Sequence, residues 1–145
     1  MAERSLIILK PDTVHRGLIG SVLARIEARG LQIVAMKMAK VSESKLAEHY
    51  GHLTSKPFYP EIVDYMTMGP VVFVIVEGDN AIGGMRQLCG ATDPAQADMG
   101  TIRADFALTI RYNLIHASDS SENATAEIAR FFEESEVCGY KRKII

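Results

Sequence analysis

Only two cysteines, Cys89 and Cys138, occur in the 145 residues, and they lie far apart. Two such cysteines make neither a disulfide framework nor a zinc site. Reduced thiols in a cytoplasmic protein are what their use implies. Charge imbalance is also missing: 16 Lys and Arg against 18 Asp and Glu give a formal net charge of −2. Without a global basic field, bulk attraction to nucleic acid or to an anionic membrane is not expected, and any anion site must be a local cluster of cations. No apolar run is long enough for a membrane span or a signal-peptide core, and the N-terminal run stops at Lys10 and Pro11. There is no internal repeat, low-complexity segment or linker. Neither G-x-x-x-x-G-K-[ST] nor G-x-G-x-x-G is present, so a P-loop and a Rossmann phosphate cradle are both excluded. If this chain handles nucleotides, side chains must hold the phosphates.

What is present suits one globular domain spanning residues 1–145, with 48% hydrophobic and 23% charged residues. Residues 6–9 and 71–78 ("VVFVIVEG") are continuous apolar runs and predict buried strands. Residues 31–41 alternate Ala35, Lys37 and Ala39 against Met36 and Met38, which predicts a strand with one wetter face. A short last strand is expected at 114–115. Helical periods fall at 17–29, 42–53, 80–89 and 122–134, with a further short helix after Pro57 and Pro60. Residues 90–105 form the longest stretch of turn chemistry. The order β-α-β-α-α-β-α-loop-β-α, with four strands, matches an α+β, ferredoxin-like split βαβ plan: a four-stranded antiparallel sheet covered by helices on one face. A flavodoxin-type parallel sheet fits less well, because 31–41 does not read as buried on both sides.

His116 ends the apolar run "NLIH" and is followed by the serine-rich turn "ASDSS". On the next helix Ala124, Ile128, Phe131 and Phe132 share a buried face, and Glu127 falls on its margin. A carboxylate there needs a partner. Glu127 can reach one ring nitrogen of His116, fix its tautomer and leave the other nitrogen free to react. On spacing alone, a lone histidine after an apolar run such as His116 is more often a satisfied core histidine, and Glu127 reads equally as an ordinary edge acid. The serines are most simply helix caps. Lys10 and Arg103 stand beside turn-formers at element boundaries, where cations suit phosphate oxygens. His49 and His52, three apart, find no third ligand at a zinc-like spacing.

Taken together, "LIILKPD", "HYGHLTSKPFY", "MGPVVFVIVEGDNAI", "GATDP", "GTIRADF" and "NLIHASDS" resemble, in order and spacing, the characteristic segments of the bacterial-type nucleoside diphosphate kinases. The resemblance spans essentially the whole chain. It implies a ping-pong kinase that moves the γ-phosphoryl of a nucleoside triphosphate, mainly ATP, to nucleoside diphosphates through a phosphohistidine at His116. It implies catalytic roles for His116, Glu127, Lys10, Tyr50 and Ser118, with Glu127 orienting the histidine and Ser118 bonding Glu127. It implies that Lys10, Arg86, Arg103 and Thr92 hold phosphates, that Asn113 and Lys10 meet the sugar, and that Phe58 and Ile110 enclose the base. Mg²⁺ is the implied cofactor, held mainly by nucleotide phosphates. A homo-oligomer, hexamer or tetramer, is implied, and the tail "EVCGYKRKII" does not decide between them. Ala117 and Ala104 stand where glycine is common in the family; a positive φ at Ala117 would strain it. A nucleic-acid-binding sheet is the alternative class. The strands lack its aromatic pattern, so nucleic acid is not expected as the main partner, and no membrane contact is expected.

Overall fold

The computed structural model describes residues 2–142; Met1 and residues 143–145, the end of the tail, lie outside them. The two apolar runs form the middle of a sheet. β1 (Glu3–Leu9) and β3 (Val71–Gly78) pair antiparallel from Glu3↔Gly78 to Leu9↔Val72. β2 (Gln32–Ala39) joins the far side of β3, and β4 (Ile115–Ala117) joins β1. Both added pairings are antiparallel, and the order β2-β3-β1-β4 is the expected ferredoxin-like arrangement.

Among the described residues seven α-helices accompany these strands: α1 (Pro11–His15), α2 (Ile19–Ala28), α3 (Glu43–His49), α4 (Tyr59–Thr67), α5 (Ala81–Cys89), α6 (Ile102–Phe106) and, after β4, α7 (Ser121–Phe131). The expectation of helices on one face only needs correction. Successive strand residues point to opposite faces, so β1 and β3, apolar throughout their centres, demand a cover on each side. On one side Ile7, Leu9, Val72, Val74 and Val76 pack with Val22 and Ile26 of α2 and Met85 of α5. On the other, Leu6, Ile8, Phe73 and Ile75 pack with Leu46 of α3, Met66 of α4 and Phe132 after α7.

Three boundaries also differ from expectation. The helix expected over 17–29 is preceded by a separate short one: Pro11 opens α1, and Gly17, at φ 69°, follows its end. The turn-rich 90–105 stretch contains the start of α6, capped by Thr101, whose Oγ1 accepts from the Ala104 amide at 3.2 Å. The last strand begins one residue later than expected, so His116 lies within β4, opposite Ile8. On β2 the wet face carries Met36 and Met38, each more than half exposed. Ala117 is free of the strain considered for it. Among the described residues the non-glycine positions with positive φ are Asn80 and Leu114.

Candidate active site

The end of β1 and the whole of β4 build the floor of a cleft. The Lys10 amide donates to the Leu114 carbonyl at 2.8 Å, which carries the β1–β4 ladder one step further and sets Lys10 beside the His116 strand. Just before β4 the chain makes a tight reversal. Leu114 is fully buried at φ 70°, and the Ile115 amide donates to the Asn113 carbonyl two residues back at 2.8 Å, a γ-turn. A buried leucine in that conformation is strained and persists only because its surroundings fix it. The strain sits two residues before His116, not one after it.

Arg103 supplies much of that fixing. It is nine-tenths buried, and its guanidinium donates to three backbone carbonyls: Asn113 at 3.2 Å, Gly90 at 2.8 Å and Ile115 at 2.6 Å. Burial lowers its pKa, yet an arginine stays charged under such conditions. Gly90 follows α5 with φ 83°, and a Cβ there would collide with the Thr101 side chain, so only glycine lets the loop approach α6.

His116 Nε2 lies 3.1 Å from Glu127 Oε1, and the same oxygen accepts from Ser118 Oγ at 2.6 Å. Ser118 is wholly buried and accepts in turn from the Leu6 amide at 2.9 Å, so β1 holds the serine, the serine holds the acid, and the acid holds the ring. Burial would raise the pKa of Glu127. The bonds from His116 and Ser118 outweigh it and keep the carboxyl below its ordinary value. An ionised Glu127 accepts the Nε2 proton and leaves Nδ1 with the lone pair. Glu127 reaches this point because Ser120 starts α7, its Oγ accepting from the Asn123 amide at 3.1 Å. One serine of the turn is therefore a cap and another anchors the acid.

The expected residues gather in two adjoining clefts. One, of about 430 Å³, is lined by His116, Glu127, Arg86, Thr92 and Arg103. The other, of about 480 Å³, has Phe58 and Ile110, both largely exposed, on its walls. Lys10, Tyr50 and Asn113 line both, and Lys10 Nζ donates to Asn113 Oδ1 at 2.8 Å. Ser118 lines neither and acts through Glu127. Burial, and then Arg103, pull the Lys10 ammonium down to about 8, and burial pushes the Tyr50 phenol up to about 12. The arrangement sets one imidazole, held by a carboxylate, beside a cluster of cations and an apolar slot.

The sequence profile of the nucleoside diphosphate kinases matches residues 3–137. The chain belongs to the nucleoside diphosphate kinase family. It is 51% identical to a nucleoside diphosphate kinase of Methanothermobacter thermautotrophicus over 96% of this chain and 93% of that one. It is 52% identical to that of Thermomicrobium roseum, over 98% and 95%. Among solved structures, a halophilic nucleoside diphosphate kinase from Halobacterium salinarum in complex with CDP superposes with a TM-score of 0.94 at 40% identity, covering 98% and 95% of the two chains. The activity is phosphate transfer between nucleotides.

The structure also places beside the site residues that the sequence does not single out. His49, notable in the sequence only as a partner of His52, stands edge-on to His116 with ring centroids 4.9 Å apart. Ligating atoms of His49, His116 and Glu127 lie within 4.8 Å of one another. Arg130 donates to His49 Nδ1 at 2.9 Å, which leaves the proton on Nε2. Burial, and then His116, hold His49 far below the usual imidazole range, so it is a neutral neighbour of His116. With His49 Nδ1 bonded to Arg130 and His116 Nε2 to Glu127, the trio is not an open ligand set. The signal for Arg130 is its place one helical turn beyond Glu127. Asp12 and Tyr65, bonded to each other beneath Lys10, offer no signal of comparable clarity. No helix among the described residues is long and apolar enough to cross a membrane.

Proposed function

We propose that this kinase works by two successive displacements at one nitrogen, Nδ1 of His116. In the first, the Nδ1 lone pair attacks the γ-phosphorus of a nucleoside triphosphate. The bond from that phosphorus to the β,γ-bridging oxygen breaks, and the nucleoside diphosphate departs as the anion. The Nε2 proton stays on the ring, shared with Glu127, which offsets the positive charge the imidazole gains. In the second, a terminal oxygen of another nucleoside diphosphate attacks the phosphorus and the N–P bond breaks, restoring the free ring. The observation that carries this reading is the chain Leu6–Ser118–Glu127–His116, which presents one ring nitrogen to a cation-lined cleft.

Lys10, Arg86 and Arg103 grip the phosphates in this reading, and Thr92 adds a hydroxyl. Tyr50 stands beside the reacting phosphoryl group, and Asn113 meets the sugar with Lys10. Phe58 and Ile110 enclose the base, and stacking is indifferent to which base it is. The relative solved with CDP supports nucleoside diphosphates as ligands. Mg²⁺ fits this donor set as a companion of the nucleotide. Of the carboxylates lining the cleft, Glu127 is bonded to His116 and Ser118 and only Asp119 is left, so phosphate oxygens would hold the ion, with Asp119 the lining carboxylate available to assist. Bound there, the ion neutralises phosphate charge. The reading extends to one catalytic domain over 1–145, a cytoplasmic address and a homo-oligomer, hexamer or tetramer; exposed Met36 and Met38 on the edge strand support contact with another copy.

Initial-rate kinetics test the two-step order. With ATP varied at several fixed concentrations of a nucleoside diphosphate, double-reciprocal lines are expected to be parallel. Lines that intersect would require both nucleotides to be bound at once and would contradict the proposal.

A further inference from the structure

We propose that the ion pair between Arg111 and Glu61 is a positioning tie for nucleoside binding: it holds the two walls of the apolar slot at their spacing before a base enters. The inference rests on the reading that Phe58 and Ile110 enclose the base. Ile110 belongs to a stretch, residues 107–114, that forms neither helix nor strand, and it is 58% exposed. Phe58 immediately precedes α4 and is 46% exposed. An exposed apolar side chain on irregular backbone has little packing to keep it in place. Contacts beside the two walls must therefore set where Ile110 stands relative to Phe58.

Two such contacts join the loop to α4. Arg111 directly follows Ile110 in the chain. Glu61 lies in the first turn of α4, and its amide donates to the Phe58 carbonyl at 3.1 Å. Each charged residue is thus fixed to one wall, and they meet with Arg111 Nη2 2.6 Å from Glu61 Oε2. Tyr65, four residues after Glu61 on the same face of α4, stands edge-on to Tyr112, with ring centroids 5.2 Å apart. Glu61 and Arg111 line the cleft of about 480 Å³ that holds Phe58 and Ile110, and neither lines the cleft of His116. The pair therefore borders the base slot and stands apart from the phosphate cations. Both side chains are more than half exposed, and an exposed ion pair contributes modestly. A modest contribution suffices here, because the tie adds no contact to the ligand. It reduces the ordering that binding would otherwise have to impose on the loop.

Calorimetric titration of the full chain with ADP, and with inorganic tripolyphosphate as a ligand lacking a base, tests the tie. Arg111→Gln and Glu61→Gln are each expected to weaken ADP about threefold. Both should leave tripolyphosphate affinity unchanged and the rate at saturating ATP within about twofold. The shared direction is the signature. If the two residues acted only through their charges, losing the cation would weaken both ligands and losing the carboxylate would strengthen them, and that result would overturn the proposal. Unchanged ADP affinity in both variants, or an equal loss for tripolyphosphate, would overturn it too. Arg111→Glu sets two carboxylates against each other and should weaken ADP about tenfold. Adding Glu61→Arg to it should recover most of that loss, and a folded double variant with no recovery would contradict a tie. Phe58→Ala separates the underlying reading. It should weaken ADP about tenfold or more. Unchanged ADP affinity there would show that the base lies elsewhere, whatever the Arg111 and Glu61 variants do, and the proposal would fall with that reading.

Discussion

His116→Gln is expected to lower phosphoryl transfer by about 10⁴-fold or more while the protein stays folded and binds ADP within a few-fold of wild type. Glutamine is close to histidine in reach, and its amide N–H can still donate to Glu127, so the Ser118–Glu127–Leu6 chain keeps its partners. What is lost is the Nδ1 lone pair. No neighbour replaces it: His49 Nδ1 is occupied by Arg130, and its Nε2 carries the proton. Direct transfer would need two polyphosphates together in a cleft of about 430 Å³, against their mutual repulsion. A coupled assay of ADP formation, with calorimetric titration of ADP, reads both quantities. A variant within tenfold of wild type would show that His116 is not the acceptor.

Arg103→Lys is expected to lose about 3 kcal/mol of stability and at least a hundredfold in transfer. The guanidinium closes three backbone carbonyls, those of Gly90, Asn113 and Ile115, and so ties the loop after α5 to the strained turn before His116. A lysine has a single nitrogen and cannot span them. It would leave buried carbonyls unsatisfied and release the Leu114 turn that sets the His116 register. Charge is lost too. Burial already brings Lys10 down to about 8, and a second lysine beside it would give up its proton more readily, whereas arginine does not. Denaturant unfolding and kcat measured well below the melting temperature check the two effects. A variant with native stability but defective transfer would limit Arg103 to phosphate contact. Native values of both would refute either role.

Much of this site is legible in the amino-acid sequence, because its chemistry is carried by residue types in local context. His116 closes an apolar run, Glu127 lies on the margin of a helical face, and Lys10 precedes a proline turn; each placement follows from periodicity and turn chemistry. The strand order follows from alternation of elements. What stays hidden depends on contacts between distant segments. Arg103 looks like a loop cation, and only folding shows that its fork serves three carbonyls ten or more residues away. Arg130 and His49 are 81 residues apart, and Asp12 and Tyr65 are 53 apart. Leucine at φ 70° runs against its own preference, so the family pattern, in which glycine is common at Ala117, points to strain there and passes over Leu114. The second helical cover is implied by the uniformly apolar β1 and β3, whose two faces both need burial, although the order of elements alone suggests a single layer.

Intact mass of the protein after mixing with ATP and Mg²⁺ and removal of nucleotide tests the central claim most directly. One added phosphoryl group is predicted, stable in base, lost in acid, and discharged on adding GDP with formation of GTP. Folded, ATP-binding protein that acquires no phosphoryl group, or that keeps one which GDP cannot remove, would contradict transfer through His116.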